Sequence, residues 1–154
     1  MRRAFLNRAA LALSALAPLG ALAAAAGPSS AGTGGAGRIK VVYHLADGTE
    51  QATRALANIR NHLRGDPDVQ IVVIAIGDGI RLLLKDEVDA SGRRFDQQVS
   101  ALASRGIEFR ICENTLAAHA VPLSRVISEA KAVPAGVVEL ARLQAREGYV
   151  YIRP

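Results

Sequence analysis

The sequence predicts an α/β fold, a parallel sheet with helices on both faces. Three observations lead there. Segments 38–44, 69–76 and 107–111 are apolar and rich in β-branched or aromatic residues, as strands are. Helix-patterned segments separate them, and strand–helix–strand crossovers join parallel neighbours. A further helical pattern over 136–146 precedes one more alternating stretch at the end of the chain.

Residues 1–26 read as a signal peptide and not as part of that fold. Arg2, Arg3 and Arg8 stand in a segment without acidic residues, and an Ala/Leu-rich run from Ala9 to Ala26 follows. Arg2-Arg3 with Phe5-Leu6 close behind resembles a twin-arginine (Tat) export signal, with an ordinary Sec signal as the alternative. Pro18 and Gly20 break the run, which argues against stable membrane insertion once the signal is removed. Its loss takes away three arginines and no acid, so the formal charge falls from +5 to +2. With charges interspersed and only three Phe and three Tyr, the chain has no basic–aromatic stripe for nucleic acid. The expected location is periplasmic or otherwise exported. A single cysteine excludes an intrachain disulfide, which leaves Cys112 buried and inert, paired between chains, or a working thiol.

Residues 27–37, rich in Gly, Ser and Ala, form a flexible leader, and 38–154 a single domain. Arg38 to His44 is the near-continuous apolar run of a strand covered on both faces. Asp47-Gly48-Thr49 turns the chain, with Asp47 or Thr49 as N-cap. Ala52, Ala55, Leu56, Ile59 and Leu63 then share one face of a helix reaching Arg64. Val69 to Ile76 is the strongest strand. Gly77-Asp78-Gly79 breaks it, Ile80 to Leu84 begins a short helix, and polar Lys85 to Arg94 is an exposed excursion. Phe95, Val99, Leu102 and Ala103 mark a helix that stops at Arg105-Gly106. Ile107, Phe109 and Ile111 alternate with Glu108 and Arg110, and Cys112 stands where that strand ends. Glu113 to Ala120 is helix-compatible, so its first backbone N–H groups would favour a thiolate at Cys112. Ala130 to Val133 is a short strand, after which Pro134 suits a helix start. That helix runs from Gly136 to Arg146, Gly148 stops it, and Tyr149 to Arg153 alternates as a final strand.

In parallel sheets ligands gather beyond the carboxyl ends of the strands. His44, Asp78 and Cys112 mark three successive ends, and Asn114 and His119 follow the thiol. His119 would share a helix face with Cys112 if the helix ran that far. Glu113 beside the thiol would raise its pKa. Each residue also has a plain structural account: Cys112 as a small buried hydrophobe, His44 as a hydrogen-bonded turn residue, Arg110 as surface charge. A Cys-His-Asp hydrolase built from Cys112, His44 or His119, and Asp78 lacks a nucleophile elbow and an oxyanion loop. A zinc or copper site lacks a ligand pair of suitable spacing. A phosphate loop at Gly77-Asp78-Gly79 lacks the remaining glycines and the lysine.

Several blocks nonetheless carry a resemblance. Tyr43-His44, Ile71 to Gly79, Gly106 to Leu116 with its Cys-Glu-Asn-Thr core, Val133 to Val137, and Leu143 to Ile152 with its Gly-Tyr-Val-Tyr-Ile ending resemble the DsrE/DsrF-like family. The resemblance spans nearly all of 38–154. It implies a three-layer α/β/α domain with a mainly parallel five-stranded sheet, and homo-oligomers, commonly trimers or hexamers. Sulfur-relay members of the family carry sulfur as a persulfide on a cysteine at the end of the third strand, the place Cys112 occupies here. The resemblance implies a persulfide carrier at Cys112, with a sulfur-donor or sulfur-acceptor protein as partner. The chemistry calls for no metal, flavin or nucleotide. His44, Asp78, Asn114 and His119 are the candidate substrate-binding residues around Cys112. The competing reading is a non-catalytic oligomeric module that binds a small ligand, with Cys112 as a wall of its pocket.

Overall fold

The computed structural model describes residues 37–154, so the signal segment 1–26 and the leader up to residue 36 lie outside the described residues. The strands are β1 (Lys40–Leu45), β2 (Gln70–Ala75), β3 (Glu108–Cys112), β4 (Ala130–Val133) and β5 (Val150–Ile152). The helices are α1 (Gly48–Gly65), α2 (Phe95–Ala103), α3 (Glu113–Ala118) and α4 (Gly136–Glu147), with 3-10 segments at Gly77–Leu83 and Leu123–Arg125. All five strands are parallel, in the order β4-β3-β2-β1-β5. No helix among the described residues is long and apolar enough to cross a membrane.

Crossover handedness explains the layering. From β1 to β4 the chain steps in one direction across the sheet, and right-handed crossovers put all those connections on one face. The last connection returns from β4 to β5 in the opposite sense, so α4 lies on the other face. Val41, Tyr43, Ile71, Val73, Phe109 and Ile111 pack on the first face against α1, α2 and the first 3-10 segment. Val42, Val72 and Ile74 pack on the second against Leu140, Leu143 and Tyr149. β1 and β2 are therefore apolar on both sides, which is why they read as continuous hydrophobic runs. At β3 and β4 the chain departs to opposite faces, into α3 and α4, and a crevice opens between those two helix starts.

Four details differ from expectation. Asp47 is the N-cap of α1 but makes no cap bond through its side chain. Instead the fully buried Gln51 accepts the N–H groups of Ala46 and Asp47 at 2.7 and 2.8 Å. The short helix expected over 80–84 is a 3-10 segment that begins at Gly77. Gly79 lets it lie on the end of β1, where a Cβ would stand 2.4 Å from the Leu45 carbonyl. The excursion 85–94 is exposed except at half-buried Glu87 and buried Asp89, whose carboxylate accepts the N–H groups of Ser91 and Arg93 and pairs with the Arg93 guanidinium. Pro134 precedes the N-cap Ala135 and does not itself open α4.

Candidate functional site

Cys112 is both the last residue of β3 and the N-cap of α3. Its side chain points to the α4 face of the sheet, as the alternation with inward-facing Phe109 and Ile111 requires. Gly136, the first residue of α4, donates its N–H to Cys112 Sγ at 3.3 Å. The sulfur thus faces the amino end of a three-turn helix, where unpaired N–H groups favour negative charge. Such an approach needs glycine. A Cβ on Gly136 would stand 2.6 Å from Ile76 Cγ1 and 3.3 Å from Cys112 Cβ.

Thr115, one turn along α3, is also buried, and the Gly77 N–H donates to its hydroxyl at 3.3 Å. Burial pushes the Cys112 thiol up, yet the Thr115 hydroxyl and the N–H groups of Gly136, Thr115 and Asn114 outweigh it. The thiol accordingly sits below its ordinary value. Asn114 N–H donates to the Pro134 carbonyl at 3.3 Å, tying the start of α3 to the loop that leads into α4.

Cys112 lines a recess of about 300 Å³ between these helix starts. Ile76, Ala118, Ala135 and Val137 make its walls apolar, and Asn114, Thr115 and His119 supply side-chain polarity. No lysine, arginine or carboxylate lines it. Cys112 itself is 4% exposed, so its side chain is largely shielded from bulk solvent. A larger cleft of about 700 Å³ runs along α2 past Arg94, Asp96, Ser100 and Glu129. Its Arg94 is already paired with Asp86 and Asp96, and no cysteine or histidine lines it, so the smaller recess is the candidate site.

Of the residues expected around the thiol, Asn114 and His119 line the recess with Cys112, while His44 and Asp78 do not. His44 lies in β1, in register with Ile74 of β2, which in turn is in register with Arg110 of β3. A whole strand therefore separates it from the thiol. Its Nδ1 and the Tyr151 hydroxyl are 2.8 Å apart. Burial and then Arg153 lower its pKa, against the opposing charge of Asp47. Asp78 is exposed at the head of the 3-10 segment, and its neighbour Gly77 reaches the recess instead. Arg110 is largely covered, not free surface charge: it pairs with Glu108 at 2.7 Å and with Glu139 of α4. Residue reading missed Gly136, Thr115 and Gly77, two of which act through backbone N–H groups. The nearest signal was a glycine two residues after Pro134, at a helix start where alanine would be the better helix former.

A sequence profile of the DsrE/DsrF-like family matches residues 38–154. Among solved structures, the chain is similar to MTH1491 of Methanobacterium thermoautotrophicum, described as a protein of unknown function. The two share 30% identity over 75% of this chain and 99% of that one, with a TM-score of 0.67. It is also similar in fold to the ychN protein of E. coli, at 14% identity over 76% of this chain and 98% of that one, with a TM-score of 0.60. No protein with a curated description matches the sequence.

Proposed function

We propose, for a chain that belongs to the DsrE/DsrF-like family, that Cys112 accepts sulfane sulfur, holds it as a persulfide and passes it to an acceptor thiol. The observation that carries this reading is the Gly136 N–H on Cys112 Sγ, at the amino end of α4 and beside a small apolar recess. A sulfur carrier needs a thiolate near ambient pH, access for a short sulfur chain and shelter for the product. The lowered thiol pKa and the adjoining apolar recess support this reading.

The exchange is balanced without any oxidant. The Cys112 thiolate attacks the outer sulfur of a donor persulfide, R–S–SH. The new S–S bond forms at Cys112 while the old one breaks, and R–S⁻ leaves with the electron pair. Cys112–S–SH then loses its outer sulfur to an acceptor thiolate by the same step, which returns the Cys112 thiolate. Asn114 and His119, at the recess wall, are the side chains placed to contact the entering sulfur species.

A second reading has support in one observation. Exposure of only 4% suits a pocket wall in a small-ligand-binding module as well as a sheltered carrier. Intact-mass measurement after incubation of the protein with polysulfide or a persulfidated sulfurtransferase separates them. The carrier gains the mass of sulfur, and Cys112→Ser does not. No adduct, or an adduct that survives Cys112→Ser, leaves only the binding module.

The same reading includes export and self-association. The Arg2-Arg3 signal pattern supports an exported protein. Val137 and Val138, each 63% exposed at the start of α4, supply an apolar surface for a second copy.

A further inference from the structure

We infer that the recess selects its sulfur donor by charge: Cys112 takes sulfur from a small uncharged persulfide, R–S–SH with an apolar R, and discriminates against anionic donors such as thiosulfate. The inference rests on Cys112 being the working thiol of a sulfur carrier, and it names the class of donor.

The lining of the recess leads there. It encloses about 300 Å³ and joins apolar side chains such as Ile76 and Val137 to a few polar ones, without a lysine or arginine. Arg110 stands two residues before the thiol on the same face of β3, but it is committed to Glu108 and to Glu139. Lys131, in register with Arg110, does not line the recess. Glu113, next to the thiol in the chain, is exposed and adds negative charge. Besides Cys112, His119 is the one ionisable side chain among the lining residues. The polar group set deepest is the Thr115 hydroxyl, in a residue 8% exposed. It receives the Gly77 N–H at 3.3 Å, and no acceptor for its own proton lies within hydrogen-bond distance among the described residues. Buried hydroxyls ordinarily spend that proton within the fold. Here it is left for an uncharged group with a lone pair, such as the sulfur of a persulfide.

Magnitudes decide against an anionic donor. The amino end of α4 favours negative charge, and its Gly136 N–H already serves Cys112 Sγ. A helix terminus favours a nearby anion by about fivefold. Two like charges about 4 Å apart oppose each other by about fivefold in water and by several hundredfold, to order of magnitude, near a protein surface. With an uncharged donor the recess holds one negative charge throughout. The Cys112 thiolate bonds to the outer sulfur of R–S–SH, the old S–S bond breaks, and R–S⁻ carries the charge away while Cys112–S–SH stays neutral. Thiosulfate, a dianion, would set two further charges beside the thiolate, with no lining cation to offset them.

The test compares two thiol reagents of similar length, uncharged propyl methanethiosulfonate and anionic sulfonatoethyl methanethiosulfonate, on the folded full-length protein at mildly alkaline pH. Their rate ratio on the urea-unfolded chain corrects for intrinsic reactivity. We expect folding to disfavour the anionic reagent by about tenfold, between the two limits of charge repulsion. Ala118→Lys, an exposed position on the recess wall, should recover about threefold of that loss by supplying a cation. A rate ratio equal in folded and unfolded protein overturns the inference. So does a ratio that Ala118→Lys leaves unchanged, because the discrimination is then one of shape, and so does a folded thiol that reacts with neither reagent. Both reagents form a mixed disulfide without sulfane sulfur, so this result stands apart from whether Cys112 forms a persulfide, which intact mass reads separately.

Discussion

A single methyl group at Gly136 would disturb both the packing and the chemistry of the recess. Gly136→Ala places a Cβ 2.6 Å from the Ile76 side chain and 3.3 Å from Cys112 Cβ, so the first turn of α4 must retreat from the thiol. Overpacking of this kind costs about 1–3 kcal/mol, measurable by urea denaturation. The retreat also removes an N–H donor from Sγ, so the thiol titrates higher in the variant. A thiol whose folded pKa is depressed contributes stability that is present above its unfolded value and lost as pH falls through the folded one. The stability gap between parent and Gly136→Ala should therefore widen as pH rises through the thiol titration. A gap that stays constant over that alkaline range would show that the donor does not act on the sulfur. Cys112, Asn114 and His119 were legible in the sequence because their side chains advertise chemistry. Gly136 was not, because its part is played by an N–H that every residue but proline owns.

At the scale of elements, the strands were the most legible. β1 and β2 are buried on both faces, and the apolar run that results belongs to no other element among the described residues. The elements that departed from expectation are held by contacts distant in sequence or hidden in one side chain. The start of α1 depends on Gln51, whose position four residues into the pattern looks like ordinary helix surface. The 3-10 segment depends on Gly79 resting against Leu45, a meeting that only the sheet creates. The excursion 85–94 is organised by Asp89, one of several acids there and indistinguishable from the others by type. α4 was read as a helix with a broad apolar face, of which Leu140 and Leu143 are buried while Val137 and Val138 are exposed, and it is the one α-helix on its face among the described residues. Leu143 is fully buried there against Val42, Val72 and Ile74. Leu143→Ala should cost about 2–5 kcal/mol in chemical denaturation, because no second helix among the described residues lies on that face to close over the cavity. A loss below about 0.5 kcal/mol would mean that α4 is not the cover of that face.

For the molecule as a whole, the topology places the site where the residues alone did not. Counting strand ends grouped His44 and Asp78 with Cys112 as candidates at one edge of the sheet. The strand order separates them, because only at β3 and β4 does the chain leave to opposite faces, and only Cys112 stands at that point. The exported, self-associating protein proposed above has one direct measurement, native mass of the protein recovered outside the cytoplasm. The expected species has three or six subunits, each lacking roughly the first 26 residues, the length of an ordinary signal peptide. A single chain of full length would contradict both parts.

The long return from β4 to β5 sets the order in which the site comes into being. β3 delivers the sulfur, but the amide beside it belongs to α4, which packs on β1 and β2 and leads into β5 at the far edge of the sheet. While the chain is emerging from synthesis, Cys112 is complete and Gly136 is not. Until α4 has docked, the cysteine lacks that donor. On the proposed reading of Cys112 as a working thiol, a nascent or half-folded chain therefore holds that thiol less activated than the folded protein does.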